Sequence, residues 1–156
     1  MSHIVESTLT YTIGYHMIQR SSGVLLATYL VLAVAGVVFL FAPSRAVESV
    51  ATTDFTTIIW GLFYLIGGIF SASSVVLRAF VKHTLPLWLF ELSGMFLIIA
   101  ANFVYAYALV TLSTTTHEYN AIATALIMIG FSGGLVARSV ETLRLVRVLK
   151  QFAQEE

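Results

Sequence analysis

The apolar residues of this chain do not alternate with polar ones. They run in four long blocks, and this sets the first expectation. A bilayer core asks for about 20 mostly apolar residues per helix. The first block, residues 23–42, carries no charge, and Pro43-Ser44 closes it. The second, 58–77, is also uncharged and stops at Arg78. The third runs from about 86 to 112 and the fourth from about 121 to 138. The connections, 43–57, 78–85 and 113–120, are too short for a soluble insert that could host an enzyme, and the first and last of them, with Glu48, Asp54 and Glu118 among Thr and Ser runs, read as solvated loops. The expected fold is all-α: an integral membrane four-helix bundle forming one domain over residues 1–156, with amphipathic helical extensions at both ends.

Those extensions are the flanks 1–22 and 139–156. Val5, Leu9, Ile13 and Met17 recur every four residues and mark one helix face. That segment either lies on the membrane or prolongs the first span. The tail RSVETLRLVRVLKQFAQEE continues the fourth helix, with Leu145, Leu149 and Phe152 on an apolar stripe and Arg144, Arg147 and Lys150 as basic residues. Basic residues beside a bilayer meet anionic headgroups, so these three are candidate lipid contacts; an ordinary positive-inside anchor accounts for them as well.

Composition agrees with the pattern. Of 156 residues, 58% are hydrophobic and 10% charged, against about 25% charged in soluble domains. The formal net charge is zero, which argues against a nucleic-acid partner. There is no cysteine, which excludes disulfides, thiolate metal sites and cysteine nucleophiles. The opening MSHIVESTLTYTIGYHMIQR lacks a cationic start, a short apolar run and a cleavage site, so the first span is expected to serve as an uncleaved signal.

Lysine and arginine at the span ends set an orientation. Arg20, Arg78, Lys82, Arg138, Arg144, Arg147 and Lys150 fall on the side of the N-terminus, and only Arg45 falls on the other. Both termini are therefore expected on the cytoplasmic side of a cytoplasmic (inner) membrane.

Lipid tails are as apolar as leucine, so helices in a bilayer associate through close backbone approach and polar contacts. Gly67 with Ser71 and Gly68 with Ala72 in the second span, and Gly130 with Gly134 in the fourth, have the required small-xxx-small spacing. Gly94 stands early in the third. Such pairs suit packing within one chain or between chains, and they permit a homo-oligomer or other membrane-protein partners.

One charged residue stands inside a span. Glu91 lies in LPLWLFELSGMFLIIAANFVYAY, about 7–8 Å into the core at about 1.5 Å per residue. A charge at mid-membrane costs at least about 2.5 kcal/mol, and less near an end. Arg138 is the expected partner, because it ends the fourth span on the same side and its long stem can bend back. Arg78 is second choice, and Glu141 competes for Arg138. A structural clamp is the expected role for Glu91. A proton relay would need a chain of polar groups, and only Asn102 lies deeper in that helix, placed for an interhelical hydrogen bond.

No catalytic, cofactor or metal constellation is visible. His3, His16, His83 and His117 all lie outside the predicted spans, which disfavours haem ligation. The stretch QRSSGVLLATY resembles the start of a succinate dehydrogenase membrane anchor, but the later haem-ligating histidine is absent and the span count differs. There is no phosphate loop, no zinc spacing and no interrupted helix of the inverted-repeat transporter kind.

A second resemblance covers residues 58–147. The runs IIWGLFYLIGGIFS, LFELSG, FVYAYAL and ARSVETLRLVR are similar to a family of small four-span membrane proteins of actinobacterial phages. The matching positions are Trp60, Gly61, Gly67, Gly68, Glu91, Gly94, Tyr105, Arg138 and Arg144. The chain departs from the family in having Phe-Glu-Leu-Ser-Gly where Leu-Glu-x-Ala-Gly is frequent. The resemblance implies a lysis-cassette role: a holin or holin partner that assembles in the host cytoplasmic membrane and permeabilises it. From the residues alone, a non-catalytic accessory or assembly subunit of a larger membrane complex and a small dimeric transporter or channel stay open.

Overall fold

The computed structural model describes residues 22–42, 44–48, 54–80, 85–116 and 119–152, and these are all-helical. The helices are α1 (Ser22–Phe41), the single turn α2 (Arg45–Glu48), α3 (Asp54–Leu77), α4 (Leu85–Thr116) and α5 (Tyr119–Phe152). Four are long and apolar enough to cross a membrane, over Gly23–Phe41, Thr57–Leu77, Leu85–Thr115 and Asn120–Arg144. The chain is a multi-pass membrane protein of the helical-bundle class. The segment 1–21, with its expected amphipathic helix, lies outside the described residues.

Local chemistry accounts for several boundaries. Pro86 stands in the first turn of α4, where its missing N–H would have had no intrahelical partner. The last turn of α3 tightens, as Ala79 N–H donates to Val76 O and Phe80 N–H to Leu77 O, each at 3.0 Å. Ser44 starts α2: its carbonyl accepts from Val47 and Glu48 N–H at 2.9 and 3.0 Å, and its hydroxyl accepts from Ala46 N–H at 3.3 Å.

One expectation needs correction. The connection 43–57 is not simply a solvated loop. Within it α2 buries Ala46 and Val47 against α3 and α4, and only Arg45 and Glu48 stay exposed. The fourth helix continues past Arg138, as the pattern of the tail leads one to expect. With 34 residues, α5 is about 51 Å long, well beyond a hydrocarbon core of about 30 Å. Past Arg138 it still buries Ser139, Thr142 and Val146, while Arg144 and Arg147 point outward.

The spans pack in chain order: α1 on α3, α3 on α4, α4 on α5. Among the described residues α1 and α5 form no packed interface with one another. They flank the central α3–α4 pair. The α1–α3–α4 side is built on backbone contact. A Cβ at Gly68 would come 2.6 Å from Ala33 N and 2.7 Å from Tyr29 O of α1. On the next residue of α3, a Cβ at Gly67 would come 2.8 Å from the Gly94 carbonyl of α4. Successive helical residues are about 100° apart, so the Gly67-Gly68 pair lets α3 touch both neighbours. Gly36 packs in the same way on the α3 backbone at Gly61 and Leu65. The outward faces carry large apolar side chains such as Val31, Phe41, Phe80, Leu126 and Ile127, as lipid contact requires.

Candidate functional site: the polar node at Glu91

All four long helices send a side chain to one point. Glu91, in the second turn of α4, is fully buried. Its Oε2 accepts from Arg78 Nη2 at 2.5 Å. Its Oε1 accepts from the Tyr29 hydroxyl at 3.1 Å and from Arg138 Nε at 3.4 Å. Tyr29 belongs to α1, Arg78 follows the last residue of α3, and Arg138 is on α5.

A ring of secondary contacts fixes these groups. Arg78 Nε donates to the Ser74 carbonyl at 3.2 Å. The Ser74 hydroxyl donates to Leu87 O at 2.5 Å, and the Ser71 hydroxyl to Glu91 O at 3.4 Å. The Trp88 ring lies 3.7 Å from the Arg78 guanidinium carbon and 5.6 Å from that of Arg138. Arg138 also reaches Glu141 Oε2 with Nη1 at 3.5 Å. Arginine suits this node: its planar fork spreads several donors over several acceptors and stacks on an aromatic face. Burial pulls the Arg78 pKa below its ordinary value, with Glu91 opposing the shift and Arg138 adding to it. The starting point is high enough that the guanidinium stays charged.

The order of partners expected for Glu91 is therefore reversed. Arg78 makes the shorter contact and Arg138 the longer one, because Arg138 is shared with Glu141. Tyr29, Ser74 and Trp88 belong to the node and escaped notice. Tyr29 had a readable signal: it lies seven residues into α1, and Glu91 six residues into α4, two helices that start from the same side.

Asn102 is not part of this node. It lies 11 residues further along α4, about 16 Å at the helical rise. Leu92, Met95, Ile98 and Ile99 are buried between the two positions, and no polar chain joins them. Asn102 Oδ1 accepts from the Tyr64 hydroxyl, an interhelical hydrogen bond from α3 to α4. Trp60 Nε1 donates to Ala101 O at 3.0 Å beside it. Phe39, Trp60, Tyr64 and Tyr105 close this outer level, with the Phe39 and Trp60 rings 4.3 Å apart.

The expected packing glycines divide into two groups. Gly67, Gly68 and Gly94 are buried in close helix contacts, and Ser71 packs against Gly94. Gly130 and Gly134, with Gly133, have nothing within 4 Å of where a Cβ would stand, so they make no packing contact among the described residues. Of the expected lipid contacts, Arg144 and Arg147 are exposed beyond the node, and the Lys150 side chain lies outside the described residues. Among the described residues no group of three histidine, aspartate or glutamate side chains is placed to hold a metal.

Comparison with protein-family models, curated proteins and solved structures finds no match to this chain.

Proposed function

We propose that the protein acts as a holin-like membrane protein, self-associating in a cytoplasmic membrane and permeabilising it, with no catalytic step of its own. One observation carries this reading. The polar groups buried in the spans, at Glu91 and at Asn102, are engaged in joining helix to helix, and the lipid-facing surface is apolar. Chemistry of that kind builds and holds a transmembrane assembly. The open positions at Gly130, Gly133 and Gly134 give α5 room for a close approach by a neighbouring helix. The resemblance over residues 58–147 adds the lysis role and a phage origin, and the distribution of arginines adds cytoplasmic termini.

A second reading, a non-catalytic accessory subunit of a larger membrane complex, draws on the same α5 surface with a different protein as neighbour. Controlled expression in a bacterial host separates the two. Abrupt loss of membrane potential at a defined time after induction is expected for the first. Undisturbed potential, with the chain purifying in a stable complex with other proteins, would overturn it in favour of the second.

A further inference from the structure

We infer that α5 is the movable helix of the bundle, and that Arg138 governs its attachment: it holds Glu91 and Glu141 together when α5 is docked and keeps Glu141 alone when α5 leaves. The inference starts from how differently the two sides of α4 are joined. On the α3 side the contact is backbone to backbone at Gly67 and Gly94, and a 2.5 Å ion pair links Arg78 to Glu91. The α1 helix is fixed to α3 in the same close manner at Gly68 and Gly36. On the α5 side, among the described residues, no glycine of α5 is in close contact.

The polar groups of α5 are largely self-sufficient. Ser132, Ser139 and Thr142 are buried, yet each hydroxyl donates to a carbonyl of its own helix: Met128 O, Leu135 O and Arg138 O, at 2.9, 2.9 and 3.0 Å. The polar contacts described between α5 and α4 are the Arg138 Nε–Glu91 bond at 3.4 Å, the Arg138 guanidinium 5.6 Å from the Trp88 ring and a Ser139 Oγ–Met95 Sδ contact at 3.7 Å. When α5 swings out, every charged partner is still matched. Glu91 keeps Arg78 and Tyr29, and Arg138 keeps Glu141, whose side chain is 65% exposed. Loss of a buried pair is normally prohibitive because it leaves one charge stranded. Here neither charge is stranded, so separation on this side avoids that cost. The three-helix unit α1–α3–α4 keeps its own locks throughout.

The test uses the full chain in liposomes, and the absence of cysteine makes site-specific spin labelling direct. One label pair, introduced by Phe80→Cys and Arg147→Cys at exposed positions, spans α3 to α5. A control pair, Val24→Cys with Phe80→Cys, spans α1 to α3. In Glu91→Gln, long distances should grow in the first pair and stay unchanged in the control. In Glu141→Gln, a surface change that leaves the fold intact, Arg138 loses its outward partner. The ratio of long to short distances should then fall by about 1.4- to fivefold, the range an exposed ion pair supports. Long distances that do not fall in Glu141→Gln, or a Glu91→Gln change that is equal in both pairs or absent from both, would overturn the inference.

Discussion

Replacing Glu91 with alanine strands the Arg78 guanidinium and leaves Arg138 with its exposed partner Glu141 alone. Arg78 and Arg138 have side chains 12% and 11% exposed, and Glu91 is the buried anion between them. Removing one partner of a buried ion pair costs about 3–5 kcal/mol, most of it from the charge left behind. At about 1.4 kcal/mol per tenfold, the lower bound already shifts the folded ratio by roughly a hundredfold. Removing Arg78 as well takes away the stranded charge on the nearer side. Glu91→Ala with Arg78→Ala should therefore be less destabilising than the sum of the singles, by about 1–3 kcal/mol. The same cycle with Arg138→Ala should give a smaller coupling, because that contact is 3.4 Å rather than 2.5 Å and Glu141 shares the guanidinium. The assay is reversible unfolding of the purified chain in mixed micelles, followed by helical circular dichroism as denaturing detergent is added. Singles and doubles that add within about 0.5 kcal/mol would refute pairing at Glu91. A coupling larger for Arg138 than for Arg78 would refute the partner order.

Two further sites give sharp contrasts. Gly68→Leu forces a side chain into the α1 backbone at Ala33 and Tyr29, and should lower the yield of folded protein by more than the roughly 1–3 kcal/mol of ordinary overpacking. Gly134→Leu meets nothing within 4 Å, so monomer stability in the same micelle assay should be unchanged. Tyr64→Phe removes the hydrogen bond to Asn102 while keeping the ring in its aromatic cluster. Hydrogen bonds of this kind between membrane helices average about 0.6 kcal/mol and reach about 1.7. Tyr64→Phe should thus stay well below Glu91→Ala in the same titration, and an equal loss would move the polar centre of the fold to the outer level.

What was legible in the sequence, and what was not, follows from helix geometry. Depth along a span is a count of residues at about 1.5 Å each. Glu91, the end of α3 and Arg138 could be placed at one level by counting alone, and the structure has them in contact there. Tyr29 was countable in the same way. Azimuth is different. Each residue turns the face by about 100°, and which face meets which neighbour depends on how the helices are arranged. That is why Arg138 was ranked above Arg78, and why Gly130 and Gly134 looked equivalent to Gly67 and Gly68 when only the second pair meets other helices of the chain. The turn at 45–48 was hidden for another reason. Only Ala46 and Val47 are buried there, a signal too short for any periodicity to register.

The asymmetry around α4 links these points to function. A bundle meant only to be rigid would use close backbone contact on every side. This one has glycine-mediated contact among α1, α3 and α4, whereas among the described residues α5 packs on α4 through Ala121, Ala125, Ser132, Leu135 and Ser139 and its own glycines sit in open space. The same helix carries Arg138, the one cation of the node with two carboxylate partners. A helix whose detachment strands no charge, and which carries small residues on an open face, has the features needed to exchange a neighbour within its own chain for one in another. Under the holin-like reading, that exchange is what converts separate bundles into an assembly. The order of events is then testable: Glu141→Gln, which holds Arg138 inward, should delay loss of membrane potential after induction, while Gly134→Leu should prevent it without changing the stability of the single bundle. Delay without any effect of Gly134→Leu would leave the movable helix in place but detach it from self-association.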